Sequence, residues 1–201
     1  MDYDVKGHLH QVLESLPQGV RLVAISKYHP NEYIEAAYAE GQRVFGESHE
    51  QELRQKHESL PSDIEWHFIG HLQGKQLKYY IQFVSMIHGV DSMEHLADVN
   101  HAAEKAGRTV DVLLQVHVAQ EETKFGFLPE ELVKLEGLEK LVHVRICGVM
   151  GMASHTDDEA RVREDFHRIR SIFDTLKAGP FKDCPEFREV SPGHFVACHE
   201  V

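Results

Sequence analysis

The sequence predicts an α/β chain organised on a parallel sheet, with a TIM-like (β/α) barrel as the preferred arrangement. Two observations carry that expectation. Between residues 21 and 149, short apolar runs closed by glycine-containing turns alternate with segments of helical periodicity, and such alternation implies crossover connections between parallel strands. An open doubly wound sheet satisfies the alternation equally. However, no Gly-x-Gly-x-x-Gly or P-loop pattern follows any of the runs, so nucleotide binding lacks its usual signature. Composition is uniform and no linker interrupts it, so the 201 residues, 42% of them apolar, are expected to form a single domain over 1–201.

Taken in order, Val5, Leu9, Val12 and Leu13 fall on one face of a helix over 4–15, which Pro17 and Gly19 end. Arg21-Leu-Val-Ala-Ile-Ser-Lys27 has the apolar run of a strand buried on both faces, leaving Lys27 at its C-terminal end. Pro30 and Asn31 open a helix through Ala39, with Gly41 as the left-handed residue beyond it. Arg43-Val-Phe-Gly46 is the second strand. Ser48 with Gln51 then matches the reciprocal capping pattern of the next helix, which Leu60-Pro61 breaks. Residues 64–69 form the third strand, and a polar helical stretch over 73–80 leads to the fourth at 84–88. Asp91-Ser92 caps a helix that points Met93, Leu96, Val99 and Ala103 at the core and closes at Gly107. The fifth strand covers 110–118. After Lys124-Phe-Gly-Phe127 and a helix opened by Pro129, the sixth covers about 142–149. Thr156-Asp-Asp-Glu159 reads as another capping box, for a helix reaching Lys177, and residues 187–190 have the make-up of a seventh strand.

The formal net charge is -12 and no Lys/Arg block is present, which argues against nucleic acid and anionic membranes as partners. An acidic N-terminus and the lack of any apolar run of membrane-spanning length predict a cytoplasmic protein. Cys147, Cys184 and Cys198 are odd in number and lack metal-type spacing, as suits free thiols in a reducing compartment.

Parallel strands bring their C-terminal ends to one side. Lys27, Glu47, Ser48, His67, His71, His88, Asp91, His117, Met150, Met152 and Ser191 fall at or just past such ends. A partly desolvated lysine there becomes an amine nucleophile toward a carbonyl; a solvated lysine ending a strand is the plain alternative. Ser48 is equally explained as a helix cap, His117 as a core histidine, and Met150 and Met152 as packing. His67 and His71 lie roughly 13 Å apart along a continuous strand, too far to share an ion, so no metal site is expected. No Gly-x-Ser-x-Gly elbow exposes a nucleophilic serine.

Several motifs in one order carry a resemblance: Val23-Ala-Ile-Ser-Lys27, Gly41-Gln-Arg-Val-Phe-Gly-Glu47, Glu65-Trp-His-Phe-Ile-Gly-His-Leu-Gln73, His88-Gly-Val-Asp-Ser92, Lys124-Phe-Gly-Phe127 and Arg145-Ile-Cys-Gly-Val-Met150. Together they resemble the YggS/PROSC-type pyridoxal 5'-phosphate (PLP) homeostasis proteins over about residues 20–191. The resemblance implies a single-domain barrel like the N-terminal domain of alanine racemase. It implies PLP carried as a Schiff base on Lys27, with Ser48, His67, Met150 and Ser191 around the cofactor. It also implies a buffering or delivery role toward PLP-dependent apoenzymes rather than robust catalysis, in a monomeric protein. A vestigial amino-acid racemase or lyase of the same fold, and a non-binding remnant acting as an interaction module, are the alternatives.

Two departures from the family pattern set further expectations. Ser48 stands where the family has an asparagine, a shorter hydroxyl in place of an amide. After Glu189-Val-Ser191 the chain reads Pro-Gly-His-Phe-Val-Ala-Cys-His-Glu-Val201, where the family continues into a phosphate-holding segment and a last strand. The expectation is a barrel that is C-terminally incomplete after about residue 191 and lacks its last strand. Its open sheet edges would permit self-association, and most of its phosphate donors would be missing, weakening the hold on PLP.

Overall fold

Six strands pair in sequential order, every neighbouring pair parallel. They are β1 (Ala24–Ile25), β2 (Val44–Glu47), β3 (Glu65–Phe68), β4 (Met86–Val90), β5 (Val110–Val116) and β6 (Val144–Gly151). The computed structural model describes residues 4–118 and 125–188. A doubly wound sheet reverses its strand order at a switch point. This sheet never reverses, so its winding is that of a (β/α) barrel, as the sequence predicts. Helices α1 (Val5–Ser15), α2 (Asn31–Ala39), α3 (Glu50–Ser59), α4 (Met93–Lys105), α5 (Pro129–Leu132) and α6 (Glu159–Ala178) connect or flank the strands. Among the described residues no helix is long and apolar enough to cross a membrane.

One face of the sheet carries the core. Phe45 and Trp66 are in register, as are Phe68 and Ile87, and Ile87 and Val112. All five are buried and join a cluster with Leu53 of α3 and Leu96 and Val99 of α4. Alternation of side chains along each strand leaves the intervening residues for the opposite face, which bears the candidate site. The ends of α4 follow the chemistry expected of them. Ser92 Oγ accepts the His95 N–H at 3.2 Å, and Gly107 takes a left-handed φ of 64° just past the last turn.

Several elements depart from the sequence expectation. The Ser48–Gln51 capping box does not form: His49 precedes the first turn of α3 and supplies no side-chain cap, while Ser48 Oγ bonds His49 Nδ1 at 3.1 Å. The reason lies in the neighbouring strand. Ile69 N donates to Glu47 O at 2.9 Å, which prolongs the β2–β3 pairing and holds the chain extended before the helix starts. Asp158, not Thr156, caps α6, its Oδ1 accepting the N–H groups of Ala160 and Arg161. The stretch before β4 forms a 3-10 helix, Gly74–Tyr79, with Leu77 its only buried residue, as suits a short connector. The first strand shortens to two residues, although Ser26 N still donates to Gly46 O at 3.0 Å.

Phe187, where a seventh strand is expected to open, packs into the core against Phe181 and Phe173, with ring centroids 4.3 and 5.1 Å away. Arg188 N donates to Cys147 O at 3.4 Å. The rest of the expected seventh strand, Glu189 and Val190, lies outside the described residues, as do Lys124, Ser191 and the tail to Val201.

Candidate functional site

Register defines which sequence-predicted residues share a face. Ile25, Gly46, His67 and Met86 form one cross-strand row. A Cβ built on Gly46 would meet Ile25 Cδ1 at 3.0 Å, Val23 Cγ1 at 3.3 Å and Ile69 Cγ2 at 3.4 Å, so these residues line the face opposite the core cluster. Lys27 and Ser48 follow two residues beyond Ile25 and Gly46, just past the ends of β1 and β2. Met150 is in register with Gln115, whose alternation leads back through Asp111 to Met86 and His67. His67 and Met150 therefore lie on the inner face of the sheet, and Lys27 and Ser48 fall at the C-terminal ends of its first two strands. Lys27 and Ser48 follow neighbouring strands, whereas Met150 lies three strands from His67. The missing side chain at Gly46 is what lets Ile25, Val23 and Ile69 close over this position of the inner face.

Lys27 is half-buried, and its ammonium lies 6.0 Å from the centroid of the Tyr28 ring. His67 and His88 are buried partners, with Nδ1 of His67 2.9 Å from Nε2 of His88. Burial, with a smaller contribution from the positive charge of Arg21, lowers the pKa of His67 from 6.5 to about 4. His67 is thus neutral near pH 7, able to donate from one ring nitrogen and accept at the other. His71 has a different partner: its Nδ1 lies 3.7 Å from Asp91 Oδ2, while His95 Nδ1 approaches Asp91 Oδ1 at 2.5 Å. The ring of Phe125 stacks on His71 at 4.2 Å. Among the described residues no group of three or more His, Cys, Asp or Glu side chains is arranged to hold a metal ion.

On the helix side of the same strand ends lies a polar cluster of which the sequence reading singled out only Glu47. Ser26 Oγ donates to Glu47 Oε1 at 2.6 Å. Lys56 Nζ donates to Ser26 O, Glu47 Oε1 and Glu52 Oε1 at 2.7, 2.8 and 2.6 Å. Burial pushes the Glu47 carboxyl up from its ordinary pKa, and the bonds from Lys56 and Ser26 work against that rise. Sequence reading placed Glu47 at a strand end but gave it no partner, and the i, i+4 spacing of Glu52 and Lys56 marks solvent-exposed helix pairs just as well.

Residues 5–188 match the family model described as alanine racemase, N-terminal domain. The pyridoxal phosphate homeostasis protein of Helicobacter pylori is 34% identical over 162 residues, 79% of this chain and 73% of that protein. The chain belongs to the pyridoxal phosphate homeostasis family. Its namesake in Aquifex aeolicus is 36% identical over 159 residues, 78% of this chain and 70% of that one. These family members are named for homeostasis and not for a reaction. Among solved family structures, PipY of Synechococcus elongatus without PLP superposes with a TM-score of 0.84 at 31% identity, covering 92% of this chain and 86% of PipY. PipY with PLP bound gives a TM-score of 0.80 at the same identity, with coverages of 92% and 85%. The sequence-based assignment to this family and to the alanine racemase N-terminal fold therefore holds.

Proposed function

We propose that this chain binds PLP reversibly on the inner face of its sheet and takes part in PLP homeostasis, holding the cofactor as a Schiff base on Lys27. The observation that carries the proposal is the position of Lys27: a half-buried amine just past the end of β1, two residues beyond Ile25, which shares a cross-strand row with the neutral His67. That donor set fits the aldehyde end of PLP. The amine condenses with the aldehyde and releases one water, with no oxidant or reductant needed, and water reverses the linkage. Reversibility is what a carrier requires, because the amine of a recipient apoenzyme can then take the aldehyde over. Ser48 supplies a hydroxyl beside Lys27, His67 an uncharged donor and acceptor, and Met150 a polarizable wall; Ser191 completes the proposed set from outside the described residues. The fold relationship to alanine racemase and the binding of PLP by PipY support the same assignment. No robust turnover is proposed, the protein acting as a single-domain cytoplasmic carrier.

The test is to mix the full chain with PLP, reduce with borohydride and locate the adduct by peptide mass spectrometry beside a Lys27→Ala control. A stoichiometric adduct on Lys27 that vanishes in the control is the expected result. A substoichiometric adduct scattered over surface lysines would overturn the proposal. Release of α-deuterium from labelled amino acids by the PLP-loaded protein would instead favour a racemase or lyase.

A further inference from the structure

Lys27 is bracketed by two residues whose backbones are tied to one buried ionic cluster on the other side of the sheet. On its N-terminal side, Ser26 O accepts from Lys56 Nζ at 2.7 Å and Ser26 Oγ donates to Glu47 Oε1 at 2.6 Å. On its C-terminal side, Tyr28 N donates to Glu52 Oε1 at 2.8 Å. Lys56 joins the two halves through its ion pairs with Glu47 and Glu52. Its side chain is 6% exposed and that of Glu47 is fully enclosed.

An ammonium group has three donors, and Lys56 spends all three inside this cluster. It is therefore not available as a competing nucleophile. A buried ion pair gives no more stability, as a rule, than well-packed apolar side chains of the same volume, so stability alone does not account for one at this place. Tyr28 adds a second observation. Its φ is 65°, a left-handed conformation uncommon for a residue other than glycine, and it occurs where Glu52 accepts its N–H.

We propose that Glu47, Lys56 and Glu52 form a positioning clamp for Lys27, fixing the backbone at Ser26 and Tyr28 so that the intervening lysine leaves the strand end toward the inner face of the barrel. The inference rests on Lys27 being the PLP carrier. Lys56 holds the backbone at Ser26 and Glu52 that at Tyr28, and Glu52 Oε2 also lies 4.0 Å from Nδ1 of His49. Glu52 is the informative position, because its side chain is 23% exposed and its removal leaves the Lys56–Glu47 pair intact.

Glu52→Ala should weaken PLP binding about tenfold, equivalent to about 1.4 kcal/mol. It should also lower the yield of borohydride-trapped adduct at Lys27. Hydrogen exchange at the Tyr28 amide should speed up, while amides of β4 and β5 keep the protection of the parent. Glu52→Gln, which retains an acceptor for Tyr28 N, should recover most of both effects. If the parent traps PLP on Lys27 and Glu52→Ala does so with affinity within about twofold, the clamp alone is overturned. If the parent traps nothing on Lys27, the carrier assignment falls and the clamp with it.

Discussion

Acidification tests the burial of His67. Its imidazole is 5% exposed, and its pKa falls from 6.5 to about 4 in the folded protein. The unfolded chain protonates this histidine at a higher pH than the folded one does. Between the two values the unfolded state holds more protons, so stability declines as pH falls. The contribution is fully present above pH 6.5 and is lost progressively down to about 4. At ~1.4 kcal/mol per pH unit the whole span amounts to about 3 kcal/mol, of which about 2 kcal/mol is gone at about pH 5. Urea unfolding of the parent and of His67→Gln, from about pH 7.5 to about pH 5, isolates this contribution because other groups titrate in both proteins. Glutamine keeps a hydrogen-bonding partner for His88. The stability of the parent relative to the variant should fall by about 2 kcal/mol over that range. A difference constant to within about 0.5 kcal/mol would refute the argument, showing that His67 either stays hydrated or takes a proton without cost.

Two further substitutions probe the geometry that places the site. A Cβ on Gly70 would lie 2.1 Å from Ser48 O and 2.9 Å from Ser48 C, and backbone atoms cannot swing aside as a side chain does. Gly70→Ala should therefore cost about 1–3 kcal/mol in urea unfolding, with the Ser48 amide resonance among the most displaced; an unperturbed Ser48 resonance would contradict the close approach. Ser92→Ala removes the hydroxyl that accepts the His95 N–H and should cost about 1 kcal/mol, read as a fall of about 2–4 °C in the thermal midpoint.

The winding of the fold was legible because each strand is signalled locally: the run before Lys27, Ile64-Glu-Trp-His-Phe-Ile69 and the others need only their own residues and flanking turns. Lys27 could be placed at a strand end for the same reason. The partners of the polar residues were not legible, because pairing across a parallel sheet joins residues with no fixed separation in the chain. His67 and His71 invited a reading along their own strand, yet His67 pairs with His88 and His71 with Asp91, one strand over. Ser48 matched a helix-cap pattern, but its strand continues to pair beyond the last assigned residue and the pattern goes unused. Glu52 and Lys56 show the same limit most sharply. In the sequence they are an ordinary i, i+4 pair on a polar helix; in the fold they are tied to the residues on either side of Lys27, at strand end β1, more than twenty positions away. Identity of the reactive residue is a local property of this chain, whereas its orientation depends on register and on a helix that follows the next strand. A substitution in α3 is therefore expected to act on Lys27 through the backbone on either side of it.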